Sequence, residues 1–244
     1  NDYRLTPEQL EEAITDRTRV LILCSPSNPT GSCYSREDLE GLAEVLRKYP
    51  QVSVISDEIY EYIVFDHEHV SLLNVAPDLK DRVALINGFS KGFAMTGWRL
   101  GYLAGPEELV KAVSKIQSQE TSAPSTISQA AGLAAYSGTL EEVLKMRASF
   151  KERRDFMVQE LNRIDGVSCF SPGGAFYVFP DISSYLGRKT PDGTVITDST
   201  GLCLYLLDAC GLAVVPGDAF GEPNGLRMSY AAGMNDLQEA LQRF

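Results

Sequence analysis

The first hundred residues alternate two hydrophobic patterns. Val20-Leu21-Ile22-Leu23, Val52-Ser53-Val54-Ile55, Val83-Ala84-Leu85-Ile86 and Leu100–Ala104 are short, almost unbroken apolar runs of the kind that form strands buried on both faces. Between them lie helical signals. Thr6-Pro7-Glu8-Gln9 supplies a cap, a proline at the first helical position and a capping-box glutamine, and a second helix is expected from a Ser35 cap to about Lys48. A third opens after Pro106, with Glu107 and Glu108 in its first turn, where the helix dipole favours negative charge. Strands alternating with helices predict an α/β fold, a mostly parallel sheet with helices on both faces.

The pattern changes further along. Residues 117–126 (QSQETSAPST) are small and polar and mark a break between helices. Gly138 and the capping box Thr139-Leu140-Glu141-Glu142 then open a long helix ending before Gly166, with Leu140, Val143, Leu144, Phe150, Met157, Leu161 and Ile164 as its apolar stripe. Short strands at Phe176–Phe179 and Leu226–Tyr230 and a helix across Leu202–Ala209 complete a smaller C-terminal α+β domain. The expected division is residues 1–138 as an incomplete large domain and 139–244 as the small one.

Composition narrows the class of molecule. A chain of 244 residues, 44% hydrophobic and 23% charged, is long enough for a sizeable core and ordinary for a globular protein. A net charge of −11 argues against nucleic acid or an anionic membrane as a partner. No apolar run approaches a membrane span and no signal peptide is visible. Cys24, Cys33, Cys169, Cys203 and Cys210 are odd in number and lack zinc or disulfide spacing, which fits reduced thiols in the cytoplasm. His67 and His69, the only histidines, sit in a polar turn-like segment, too few ligands for a metal site. Walker A and GxGxxG patterns are both missing.

The chemistry gathers at strand ends. In open parallel sheets ligands bind beyond the carboxyl ends of the strands. Three such ends carry polar groups: Ser25-Pro26-Ser27-Asn28-Pro29-Thr30-Gly31, Ser56-Asp57-Glu58-Ile59-Tyr60 and Ser90-Lys91. A parallel sheet would bring Asn28, Asp57 and Lys91 to one rim. Lys91, with Arg99 eight residues on, is what a Schiff-base site for a phosphorylated aldehyde requires: an amine able to form an imine and a guanidinium fork for the phosphate. Taken singly, each residue has a plainer reading. Asn28 would be a turn residue, Asp57 a helix cap, Glu58 and Tyr60 solvated turn residues, and Lys91 a surface lysine. Arg99 would be half of an ion pair, and Arg227 the exposed side of a strand. The combination reverses that preference.

SNPTG, SDEIY, SKGFAMTGWRLGY and the late GLRMSYA, in this order, resemble the fold-type I pyridoxal-phosphate aminotransferases, closest to the class I/II aspartate-aminotransferase-like group. The resemblance covers essentially the whole chain, and the four motifs are specific as a set. It implies pyridoxal 5'-phosphate as cofactor and Lys91 as the amine that bonds it and then moves the substrate α-proton. Asp57 would face the pyridine nitrogen, Tyr60 and Asn28 the phenolic oxygen, and Arg99 with Ser90 the phosphate. Arg227, with Asn28 beside it, would hold the substrate α-carboxylate as a bidentate fork. The resemblance further implies a homodimer acting on an amino acid, aspartate favoured, and a 2-oxo acid.

Two departures stand out. Many relatives have a phosphate-binding hydroxyl three residues before the lysine, where this chain has Gly88. The family's N-terminal segment, with its Gly-rich phosphate loop and ring-stacking aromatic, has no counterpart between Asn1 and Leu23. The 244 residues are therefore expected to be the C-terminal portion of a longer enzyme, binding cofactor weakly and turning over poorly alone. Two rivals share the motifs: a cofactor-dependent carbon–sulfur β-lyase, since any α-proton loss uses the same rim, and a non-catalytic folded fragment.

Overall fold

The computed structural model describes residues 2–244. Eight helices and seven strands follow in the order α1 (Pro7–Ala13), β1 (Val20–Cys24), α2 (Arg36–Lys48), β2 (Ser53–Asp57), α3 (Leu72–Val75), β3 (Val83–Gly88), β4 (Gly101–Ala104), α4 (Glu107–Glu120), α5 (Thr126–Ser137), α6 (Glu141–Leu161), β5 (Tyr177–Val178), α7 (Ser199–Cys210), β6 (Val215–Pro216), β7 (Leu226–Ser229) and α8 (Met234–Arg243). They form two compact units. The first holds Tyr3–Ser27 and Ser32–Arg147; the second holds Asn28–Gly31 and Ala148–Phe244, with Asp2.

The first unit is built on a four-stranded sheet of order β1-β2-β3-β4. β1, β2 and β3 are parallel, in the register Cys24↔Asp57 and Asp57↔Ile86, and β4 is antiparallel to β3. The antiparallel edge has a local cause. Residues 89–100 contain only one short 3-10 turn, and a parallel return would need a longer crossover, usually a helix.

Local chemistry sets the helix starts. In α1 the Gln9 amide donates to Thr6 Oγ1 at 3.3 Å, and the Thr6 amide donates to Gln9 Oε1 at 3.0 Å. Ser35 and Asp38 repeat this box at α2, where the Ser35 amide donates to Asp38 Oδ2 at 2.8 Å. Leu39, Leu42, Ala43, Val45 and Leu46 then bury one stripe of α2 against a core that includes Leu23, Val52, Val54 and Val83. On the sheet's other face a cavity of about 530 Å³ separates Ile55, Ala84 and Ile86 from Leu109 and Val113 of α4, and Ile22 is 70% exposed.

The second unit contains a three-stranded antiparallel sheet of order β5-β7-β6, with Tyr177 opposite Ser229 and Val215 opposite Arg227. β6 has no apolar run long enough to be read from sequence. Its partner β7 makes it a strand. Asp198 caps α7, its Oδ1 accepting the Gly201 amide at 2.7 Å, and Gly211, with φ 63, ends it. The expected stripe of α6 needs correction. Val143, Phe150, Met157 and Leu161 are buried, but Leu140 and Leu144 are 41% and 48% exposed. Val143, Phe150 and Met157 recur every seven residues with Leu161 one turn further on, whereas Leu140 precedes the helix and Leu144 lies off that line. The helix also closes at Leu161, several residues before Gly166. Among the described residues no helix is long and apolar enough to cross a membrane.

Candidate active site

Asp57 is the last residue of β2 and lies opposite Cys24 and Ile86 in the parallel ladder, so three strands end along one rim. The rim is tied across by backbone bonds: the Ser25 amide donates to Asp57 O at 3.0 Å and the Glu58 amide to Ile86 O at 2.9 Å. The Asp57 carboxylate accepts the Ile59 amide at Oδ1, 3.2 Å away. Tyr60, in the turn that follows, is buried at 3% exposure. Lys91 reaches toward it, with Nζ 5.9 Å from the Tyr60 ring centroid. The structure therefore brings Asp57, Tyr60 and Lys91 to the carboxyl ends of neighbouring strands.

The loop from Phe89 to Arg99 is closed on itself. Met95 N donates to Phe89 O, Ala94 N to Lys91 O and Phe89 N to Leu100 O, at 3.2, 3.1 and 3.2 Å. Ala94 and Arg99 hold left-handed angles, φ 51 and φ 49, which side-chain-bearing residues adopt only where surroundings impose them. Arg99 Nη1 donates to Thr96 O at 3.0 Å, and Ser90 is half-buried. An aromatic cluster underlies the loop. Phe89 packs on Tyr136 at 4.6 Å and on Phe93 at 5.7 Å, Phe93 meets the edge of Tyr62 at 5.1 Å, and Tyr136 Oη donates to Tyr102 Oη at 2.9 Å. Burial, then the neighbouring phenol, push the Tyr136 hydroxyl well above its usual range, so it stays protonated. Gly88 also has its explanation here. A Cβ at that position would stand 2.8 Å from Gly101 Cα and 2.9 Å from Leu100 O, so the close β3–β4 pairing leaves no room for a hydroxyl.

In the second unit Arg227 Nη1 donates to Asn28 Oδ1 at 2.9 Å, joining residues far apart in sequence. The Arg227 guanidinium carbon lies 4.7 Å from the Tyr177 ring centroid and 5.2 Å from that of Phe220. Its Nε is buried with no hydrogen-bond partner among the described residues. A guanidinium held between two aromatic faces with donor capacity left over suits an anionic ligand. The family resemblance places the strand after Gly173-Gly174, which carries Tyr177, near the substrate. Phe220 was not marked by the sequence, and only the Gly217–Phe220 turn could have pointed to it.

The sequence also missed a polar network behind the rim. Glu58, 3% exposed, accepts hydrogen bonds from Ser56 Oγ at 2.8 Å and Ser71 Oγ at 2.7 Å, and pairs with His69 Nε2 at 2.9 Å. Burial raises its pKa, but His69, Ser71 and Ser56 together outweigh that and hold the carboxyl below its ordinary value. His69 thus belongs to a mostly buried pair, unlike the solvated turn its sequence neighbours imply. Glu58, Glu61 and His69 put their ligand-type atoms within 4.8 Å of one another, and the Glu58–His69 bond accounts for one of these three approaches. None of the five cysteines forms a disulfide, and burial pushes the thiols of Cys33 and Cys169 up to about 12 and that of Cys203 to about 11, which disfavours their reactive thiolate forms.

The whole chain, residues 1–244, matches the family model described as aminotransferase class I and II. It is 50% identical to a bifunctional aspartate aminotransferase and glutamate/aspartate-prephenate aminotransferase of Petunia hybrida, over 99% of this chain and 51% of that protein. It is 49% identical to an aspartate aminotransferase of Rhizobium meliloti, over 99% of this chain and 59% of that one. The crystal structure of the Rhizobium meliloti enzyme superposes with a TM-score of 0.95 at 48% identity, covering 98% of this chain and 60% of that chain. An aromatic aminotransferase from Pyrococcus horikoshii gives 0.91 at 36% identity, covering 99% and 63%. The chain spans roughly half to three-fifths of the length of these relatives. With a full-length family match, half of its residues shared with such relatives and the lysine-bearing rim of a mixed α/β sheet, the chain belongs to the class I and II aminotransferases, pyridoxal-phosphate enzymes of fold type I.

Proposed function

We propose that the protein carrying this chain moves an amino group between an amino acid, aspartate first, and a 2-oxo acid in a two-stage exchange. One observation carries the reading: Lys91 and Asp57 issue from the carboxyl ends of adjacent parallel strands, with Tyr60 against the lysine amine. The residues fit pyridoxal phosphate, because an amine, a carboxylate and a phenol stand on one rim and an arginine follows in a strained loop. Pyridoxal phosphate, when bound, supplies an aldehyde that condenses with amines and a ring that accepts electrons. Residues 1–138 would form the cofactor-binding part and 139–244 the smaller domain.

Lys91 would hold the cofactor covalently, and its amine would be the base that carries the substrate α-proton. Asp57 would face the ring nitrogen and favour its protonated form, and the Ile59 amide on Oδ1 fixes the direction of that carboxylate. By the family resemblance Tyr60 and Asn28 would hydrogen-bond the phenolic oxygen, and Arg99 with Ser90 would hold the phosphate. Arg227, oriented by Tyr177, Phe220 and Asn28, takes the α-carboxylate. We further propose a homodimer in the cytoplasm whose partners are small molecules, in keeping with the net charge of −11.

The test is amino transfer by the full-length protein from aspartate to 2-oxoglutarate, with Lys91→Ala as control. Because the Petunia relative is named for prephenate as well, prephenate is assayed as a second acceptor. Glutamate formation lost in Lys91→Ala supports the reading. Pyruvate and a thiol released from cystathionine, without transfer from aspartate, would replace it with β-elimination.

A further inference from the structure

We propose that Glu58 is a positioning residue: with His69 and Ser71 it forms a buried clasp that fixes the 57–60 turn, and through it the Asp57 carboxylate and the Tyr60 hydroxyl. The inference rests on the proposed function, in which Asp57 and Tyr60 face the cofactor. Ser56 and Glu58 are buried on one side of the strand end, and Asp57 between them points to the other. All three donors to Glu58 converge behind the rim, two from the 69–71 segment and one from β2. The same turn is held by its backbone, with Glu61 N donating to Glu58 O at 2.9 Å and Ile63 N to Tyr60 O at 2.8 Å. The Ile59 amide, which fixes Asp57 Oδ1, is the next link after Glu58. Moving the Glu58 side chain therefore moves the peptide that aims Asp57.

Stability alone gives weak reason for a carboxylate here. A buried charge costs more than an apolar side chain of the same size unless every lone pair is satisfied. Satisfied as this one is, it locks one geometry, because a network of short bonds to three separate side chains leaves a single arrangement. An apolar residue would fill the space and leave the turn free to rotate. The clasp gives Asp57 a fixed direction that its half-buried rim position would otherwise lack.

The experiment uses the full-length protein and titrates pyridoxal phosphate into the cofactor-free enzyme, following the visible band of the lysine-bound cofactor. Glu58→Gln and Ser71→Ala are each expected to weaken cofactor binding about tenfold, the scale of coupling within one hydrogen-bond network. On a background carrying both Asp57→Asn and Tyr60→Phe the same substitutions are expected to change it by less than about twofold, since both groups they aim are gone. A purely structural role would shift the melting midpoint equally on both backgrounds and give losses that add. Additive losses, or wild-type affinity in both variants, would overturn the clasp. Ser71→Ala keeps the test open if Glu58→Gln folds poorly, because Ser71 is only partly buried. A wild-type protein that binds no pyridoxal phosphate would overturn the functional reading, and the clasp with it.

Discussion

Gly92, next to Lys91, is there for space. Its backbone lies outside the left-handed region, but a Cβ would stand 2.6 Å from Tyr62 Cδ2, 3.0 Å from Tyr62 Cβ and 3.1 Å from Tyr62 Cγ. Carbon contacts are favourable near about 3.5–4.0 Å, so Gly92→Ala forces a displacement of about 1 Å. Rotating the Tyr62 ring relieves the first contact but not the second, which lies beside the backbone. The ring is also edged by Phe93, itself packed on Phe89 and Tyr136. Overpacking of this kind costs about 1–3 kcal/mol, and here the lysine loop and the aromatic cluster share it. Urea unfolding of the cofactor-free protein should show a lower midpoint, and cofactor affinity should fall because Lys91 moves with its neighbour. Tyr62→Ala, which removes the blocking Cγ and Cδ2 and leaves only the Cβ contact, should recover about 1 kcal/mol or more in the double variant relative to the sum of the two single losses. A Gly92→Ala protein with unchanged midpoint and affinity, or losses that simply add, would refute the steric argument.

Three further outcomes follow from other parts of the structure. Arg227→Lys should raise the KM for the amino acid about tenfold to a hundredfold with a smaller effect on kcat, because the fork and the stacking on Tyr177 and Phe220 are lost; an unchanged KM would show that the carboxylate binds elsewhere. Gly88→Ser, which restores the hydroxyl found in many relatives, should destabilise by about 1–3 kcal/mol and leave cofactor affinity no tighter, because the new Cβ meets Gly101 and Leu100; tighter binding in a titration would contradict this. Glu58 has a folded-state pKa below its usual 4.5, so its contribution is fully present above pH 4.5 and is lost as the pH falls through the lower value. Glu58→Gln should therefore flatten the acid side of the stability curve in urea unfolding, and an unchanged slope would mean that the carboxylate is not held charged by its three donors.

The strands at Val20, Val52 and Val83 were legible because a buried parallel strand needs a continuous apolar run, a property of adjacent residues. The capping box at Thr6 and the cap at Ser35 were legible for the same reason: donor and acceptor sit three residues apart. The polar tips at Asp57 and Lys91 could be placed on one rim once the strands were taken as parallel, and the register bears out that step. Other features were out of reach. The antiparallel turn of β4, the exposure of Leu140 and Leu144 and the strand character of Val215–Pro216 depend on partners that no local window contains.

The chain alone determined which residues carry reactive groups and at which strand ends they emerge, since apolar runs, caps and turn residues act over a few positions. The fold decided what surrounds those groups. It set Glu58 between Ser56, His69 and Ser71, stacked Arg227 on Tyr177 and Phe220, and left Gly92 no room beside Tyr62. These contacts join residues up to tens of positions apart, and their geometry arises only when packing closes the distances between them.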